Sequence, residues 1–310
     1  MEKILIIKLG ALGDFVLAIG SMQNIKAAHP NAEFTLMTGA PFVSIAKQMN
    51  MFSHYIIDNR ESLLNIPYTL RLAKEVRAGD FDKVYDFQIV SRTKYRYFYA
   101  MRLLSRKSFI WHTGMKNVTE YHIEKKHPLS FGKCTKIPAK PCGKITDLSF
   151  LHGENKYFHE LPERFVLFIP GCSPNHPHKR WPVGYFSELA ARLAKRNISV
   201  VLIGTKTEEE EIKAIAEASP LAANMINKTS LLDIPDLARL AIASVGNDTG
   251  PSHIASLSGM PTIAIYDNRT KQGALTGPRS INLVSPDTID KITVDHVWEK
   301  LLPILEKAGA

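Results

Sequence analysis

The sequence predicts two α/β domains, each a mostly parallel sheet with helices on both faces. Three observations lead there. Short apolar runs of strand length alternate with helical patterns, which is the order of βαβ units and not of hairpins. The pattern stops in a passage rich in His, Lys, Pro and Gly, from about residue 111 to 161, and then restarts. The length, 310 residues, is enough for two domains of ordinary size. The expected domains are residues 1–160 and 161–310, with the last helix packing back on the first.

The elements follow in order. KILIIKL reads as a buried strand and residues 15–28 as a helix. AEFTLMTG is a second strand before a helix over 41–50, HYIIDN a third before a helix over 63–78, and KVYDFQ a fourth. Residues 111–161 read as loops, a helix or two, and the passage between domains. In the second half RFVLFIPG, ISVVLIGT, the short SVGND and PTIAIYD read as strands, and residues 183–196, 208–218, 237–243 and 252–258 as helices. Ligands of open α/β sheets bind beyond the carboxyl ends of the strands, so two such domains are expected to face each other across a cleft.

Composition narrows the function classes. No run of 18 apolar residues exists, so no membrane-spanning helix is expected. The first ten residues lack the features of a signal peptide. Three widely spaced cysteines, Cys134, Cys142 and Cys172, do not make a disulfide framework and suit a reducing cytoplasm. The net charge of +9 is unevenly spread: residues 1–155 hold 22 Lys and Arg against 13 Asp and Glu, whereas 156–310 hold 17 of each. The first half is therefore expected to meet something anionic.

Five stretches carry candidate chemistry. KLGALGDFVLAIG, residues 8–20, joins the first strand to the first helix. Its free N–H groups would suit an anion, but it is neither the dinucleotide fingerprint nor a P-loop, and Asp14 would repel a phosphate. Locally, Asp14 reads either as an N-cap or first-turn acid or as a carboxylate held for chemistry. FIPGCSPNHPHKRWP places Lys179 and Arg180 beyond a strand end, where phosphate oxygens could sit. GNDTGPSHIASLSG offers Asp248, Thr249, Gly250, Pro251, Ser252 and His253 at a helix start, a second anion-suited element. In GTKTEEEEIKAI, Glu208 stands near a strand end and could take ribose hydroxyls, while Glu209–Glu211 read as a solvated face. SRTKYRYFYAMRLLSRK carries Arg92, Lys94, Arg96 and three further bases with no acid, interleaved with aromatics. It suits a phosphorylated glycolipid, an anionic membrane face or RNA. Metal spacing is weak: His122, His127, Cys134 and Cys142 form no zinc pattern, so no metal and no cofactor is expected.

Together IIKLGALGDFVLA, PGCSPNHPHKRWP and GNDTGPSHIASLSGMPTIAIY resemble glycosyltransferase family 9, the lipopolysaccharide heptosyltransferase family, in order and spacing across roughly residues 3–280. The resemblance implies a GT-B fold of two Rossmann-like domains. It implies metal-independent, inverting transfer from a nucleotide-activated sugar, typically ADP-heptose, to the lipopolysaccharide core. The family's catalytic carboxylate falls on Asp14, its phosphate-binding lysine on Lys179, and its donor-phosphate turn on Asp248, Thr249, Gly250 and His253. Its ribose-binding glutamate matches Glu208. Lys8, Gly13, Arg92, Lys94 and Arg96 are then acceptor-side candidates. Implied partners are the nucleotide sugar and a phosphorylated glycolipid, with peripheral contact at the inner face of the cytoplasmic membrane and no nucleic acid. The alternatives are a family 9 transferase with another donor or acceptor, and a non-catalytic lipid- or RNA-binding protein. A nucleotide-dependent oxidoreductase is disfavoured by the missing G-x-G-x-x-G.

Overall fold

The computed structural model describes all residues except 63, 89, 91, 92, 94–96, 99, 100, 102, 104, 106, 114–117, 124–133, 138–145, 270–273 and 310. The chain divides into two units, Met1–Lys144 and Ile145–Ala310.

The first unit is built on β1 (Lys3–Ile7), β2 (Glu33–Thr38), β3 (His54–Ile57) and β4 (Lys83–Asp86), with helices α1 (Leu12–Ala28), α2 (Val43–Gln48) and α3 (Ile66–Gly79) between them. The sheet continues into β5 (Phe109–Thr113), β6 (Val118–Ile123) and β7 (Cys134–Ile137), in the order β3-β2-β1-β4-β5-β6-β7. Strands β3 to β5 pair in parallel, and β6 and β7 add antiparallel. β1 sits in the middle, and Ile4, Leu5, Ile6 and Ile7 have no exposed surface. A strand buried on both faces needs such an unbroken apolar run. From β1 the chain winds out to β3 and returns on the other side at β4. The strand order therefore reverses at β1, and the turn after it, residues 8–11, opens at a topological switch point.

The second unit has β8 (Phe165–Ile169), β9 (Ser199–Leu202), β10 (Ala222–Asn224), β11 (Ala243–Asn247), β12 (Thr262–Tyr266) and β13 (Ser280–Val284), all parallel, in the order β10-β9-β8-β11-β12-β13. Its helices are α4 (Val183–Ala194), α5 (Glu209–Glu217), α6 (Ile234–Leu240), α7 (Gly250–Leu257) and α8 (Val294–Lys307). The reversal lies between β8 and β11. The loop after β8 carries Lys179 and Arg180, and the turn after β11 carries Asp248. Two segments 69 residues apart thus converge at one sheet position because adjacent parallel strands end side by side.

Several expectations change. The stretch read as loops and helices contains strands β6 and β7, and β5 begins just before it. Antiparallel strands can be polar on one face, so they lack the continuous apolar signal that marked the parallel ones. The helix expected over 237–243 is α6, Ile234–Leu240; Pro235 suits a first turn, and the apolar run after it belongs to β11. Helix α1 starts at Leu12, three residues earlier than expected, so Gly13 and Asp14 lie inside its first turn. The short strands β10 and β13, only partly buried, gave no pattern. The last helix places Val294, Val297, Leu301 and Leu305 in the second unit's own core.

Candidate active site

In the first unit, the turn after β1 is held from three sides. Lys8 N–H donates to the Met37 carbonyl (3.0 Å), the Thr38 hydroxyl donates to the Lys8 carbonyl (2.7 Å), and Leu9 N–H donates to Gln88 Oε1 (2.8 Å). Gly10 has φ +120°, and a Cβ there would stand 2.8 Å from the Phe42 ring, which stacks on Phe15 at 5.1 Å. Glycine alone meets both demands. Gly10→Ala is expected to destabilise the first unit by about 1–3 kcal/mol, the cost of a side chain in such a backbone region. The check is a lowered midpoint in urea for Gly10→Ala beside one that does not fall for Gly184→Ala, a helical position where a Cβ meets nothing within 4 Å.

Asp14 is exposed and stands third in α1; the N-cap is Ala11, whose side chain makes no cap bond. A first-turn carboxylate is stabilised by the helix dipole, so Asp14 serves the helix as well as presenting its charge at the switch point. Lys8, an acceptor-side candidate, is buried instead, with Nζ 3.3 Å from the Phe87 carbonyl. Burial pushes its ammonium below the usual lysine range, with the charges of Asp14 and Asp86 opposing and that of Arg60 adding to the shift. Lys8 therefore sets the field beside Asp14. Sequence reasoning missed Arg60, whose guanidinium would lie 3.5 Å from a Cβ on Gly10. Its signal was its place just past HYIID, at a strand end. Arg92, Lys94 and Arg96 lie outside the described residues; around them Thr93, Tyr97, Phe98, Met101 and Leu103 are helical.

In the second unit, Lys179 Nζ donates to Asp248 Oδ2 at 2.6 Å, and His253 Nε2 lies 3.6 Å from Asp248 Oδ1. Burial raises the Asp248 carboxyl, but the bonds from His253 and Lys179 and their charges outweigh it and hold it below the usual range. Asp248, grouped in sequence with the phosphate-binding turn, thus positions the lysine and histidine that flank it. Its charge also reaches Tyr266, whose phenol is pushed up by burial first and by Asp248 second.

The turn itself packs tightly. A Cβ on Gly246 would stand 2.7 Å from Ile169 Cβ and 2.8 Å from Ser252 Oγ. The Ser252 hydroxyl donates to the Asn247 carbonyl (2.7 Å), so this buried side chain closes the turn instead of facing a ligand. Thr249 is the extended N-cap of α7, with its hydroxyl 3.4 Å from Ser252 Oγ and no side-chain cap bond. Gly250 opens the helix and Pro251 follows; with Ser252 N–H, the Gly250 N–H belongs to the set a helix start leaves without partners. His253 is buried, and its Nδ1 makes no hydrogen bond among the described residues. Asn247 ties the two loops: its Oδ1 accepts from Trp181 N–H (3.0 Å) and its Nδ2 donates to the Pro170 carbonyl (2.5 Å). Buried Trp181 donates its ring N–H to the Ile292 carbonyl (2.6 Å). The W-P pair after Lys179-Arg180 therefore anchors the basic loop in the core.

Glu208 accepts from Thr205 N–H (2.9 Å), the Thr205 hydroxyl (2.7 Å) and the Thr207 hydroxyl (2.7 Å). Burial opposes ionisation, and these bonds together with the Arg180 charge hold its carboxyl below the usual range. In this structure Glu208 caps its own helix start. Glu209 and Glu210 are exposed as expected, but Glu211 pairs with Arg180, which sequence reading had left to solvent. The first unit thus gathers Lys8, Asp14 and Arg60. The second brings Lys179, Asp248 and His253 together, with Arg180, Glu208 and Glu211 beside them.

The family model of glycosyltransferase family 9 (heptosyltransferase) matches residues 69–285. The chain belongs to glycosyltransferase family 9. It is a glycosyltransferase, and its α/β fold is the GT-B fold. This family 9 chain is 24% identical to a putative glycosyltransferase of Haemophilus influenzae, over 86% of its length and 83% of the relative's. It is 23% identical to lipooligosaccharide heptosyltransferase 2 of Campylobacter jejuni, over 96% and 87%. Among solved structures, Escherichia coli ADP-heptose LPS heptosyltransferase II aligns with a TM-score of 0.70 at 22% identity, over 99% of this chain and all of that one. Among the described residues, no helix is long and apolar enough to cross a membrane.

Proposed function

We propose that this glycosyltransferase moves a heptose from ADP-heptose to a phosphorylated lipopolysaccharide core, at the inner face of the cytoplasmic membrane. The names of its relatives support the sugar and the acceptor. The observation that carries the donor side is the Lys179 ammonium, held 2.6 Å from Asp248 beside the start of α7 at the switch point of the second sheet. A lysine preplaced with free helix N–H groups suits a leaving diphosphate, because fixed positive charge stabilises negative charge as it develops. Glu208 is the ribose candidate on its helix start, and Arg180 the second cation.

The acceptor hydroxyl oxygen attacks the anomeric carbon from the side opposite the diphosphate. The new C–O bond forms as the bond to the diphosphate oxygen breaks, which inverts the anomeric centre. Asp14 takes the hydroxyl proton. The diphosphate leaves with the electron pair and is held by Lys179 and the Gly250 and Ser252 N–H groups, with no metal in the scheme. Gly13 lets the acceptor approach the first turn of α1. Arg60, Arg92, Lys94 and Arg96 supply positive charge for acceptor phosphates, and buried Lys8 supports Asp14.

The test is a thermal-shift screen of ADP, UDP, GDP and CMP with their sugars. ADP and ADP-heptose are expected to raise the melting temperature by several degrees at saturation, since a ligand at 100 times its Kd adds about 2.7 kcal/mol. A shift with UDP or GDP and none with ADP overturns the donor.

A further inference from the structure

Helix α3 carries an exposed apolar stripe in addition to its buried face. Tyr68, Leu72 and Val76, spaced four apart, are buried in the first unit's core. Ile66, Leu70 and Lys74, also four apart, form a separate stripe that Arg77 continues three residues on. Ile66 and Leu70 are each 64% exposed, and Leu64 just before the helix is 90% exposed. Lys74 and Arg77 are exposed and form no ion pair among the described residues, whereas Arg71 on the neighbouring row is taken up by Glu75.

We propose that this face, Leu64, Ile66 and Leu70 continued by Lys74 and Arg77, docks on a lipid surface with anionic headgroups. The order of residues is that of an interfacial helix: large apolar side chains enter the acyl boundary, and cations on long stems meet headgroup phosphates. Charge complementarity selects this occupant. Lys74 and Arg77 continue the apolar stripe and form no ion pair among the described residues, so the stripe itself offers two cations to headgroup phosphates. A protein partner would favour a face depleted of lysine at its core. The attachment is weak, reversible and salt-sensitive, because few side chains enter and each basic residue adds only a modest electrostatic increment. The inference rests on the proposed lipid-borne acceptor, for which the face would hold the enzyme at the surface where its substrate lies.

The full chain is sedimented with vesicles of phosphatidylcholine alone and of phosphatidylcholine mixed with phosphatidylglycerol, at low and physiological salt, while ADP binding is measured by calorimetry. The wild type is expected to sediment with the anionic vesicles and not with the neutral ones, and to be released by salt. Ile66→Gln/Leu70→Gln and Lys74→Glu/Arg77→Glu are each expected to lower the partition coefficient about tenfold or more. Both should keep the wild-type melting temperature and ADP affinity. Vesicle binding unchanged in both variants overturns the assignment, as does equal binding to neutral vesicles. A wild-type dimer that either variant turns into a monomer, without vesicle binding, overturns it in favour of self-association. Protein that binds ADP yet ignores anionic vesicles overturns the docking face and leaves the transferase reading standing. Protein that binds anionic vesicles through this face but no ADP overturns the proposed ADP-heptose donor instead.

Discussion

Asp14→Asn is expected to lower turnover by about 10²–10⁴-fold and to leave ADP affinity unchanged, which is the usual contribution of one general base. The amide keeps the size and shape of the carboxylate but cannot take the acceptor proton. Two features make this substitution clean. The side chain is exposed, and buried Lys8, which loses the Asp14 charge, keeps that of Asp86. Its structural role is that of a first-turn acid, and loss of its dipole interaction costs only about 0.3–1 kcal/mol. The melting temperature should therefore fall slightly, and far less than the rate. Near-normal turnover rules out Asp14 as the base.

Lys179→Ala is expected to weaken ADP binding about 10–100-fold, the worth of one charge-assisted hydrogen bond at about 1.5–3 kcal/mol. It also removes the short bond to Asp248, a carboxylate only 8% exposed. Stranding one member of a buried pair costs about 3–5 kcal/mol, and His253, left beside Asp248, reduces that cost. The sign of the pH effect follows from the lowered Asp248 carboxyl. A depressed carboxyl contributes stability above its unfolded-state value and loses it as the pH falls through the folded one. The gap in melting temperature between wild type and Lys179→Ala should thus be widest near neutrality and close as the pH drops through the carboxylate range. Calorimetry with ADP and melting curves across pH check both parts. Unchanged ADP affinity contradicts the phosphate role, and a gap that is flat with pH contradicts the Asp248 pairing.

Much of the fold was legible because parallel strands are buried on both faces. KILII, FVLFI and TIAIY are continuous apolar runs for that reason, and they became β1, β8 and β12. Strands β6 and β7 were not legible, since antiparallel strands at the end of a sheet carry no such run. The site elements were legible as strand–loop–helix junctions, through glycines and prolines that permit few alternatives. The hydrogen-bond partners within each junction were not. Glu211 looked like one of four solvated acids until the fold set Arg180 beside it. Lys8 looked like an available cation, but the pairing of β1 between β2 and β4 turned it into the core.

The sequence by itself determined the two α/β units, the family and the short list of residues at strand ends. Those properties are local: apolar periodicity, turn chemistry and motif order survive in one dimension. Only the tertiary structure decided which of those residues are paired. It joined Lys179 to Asp248 across 69 positions, bound Ser252 and Asn247 into the turn, and made Glu208 a cap. The physical reason is that the strength of a charge or a hydroxyl depends on its burial and its partners. In a parallel sheet those partners come from neighbouring strands far away in the chain.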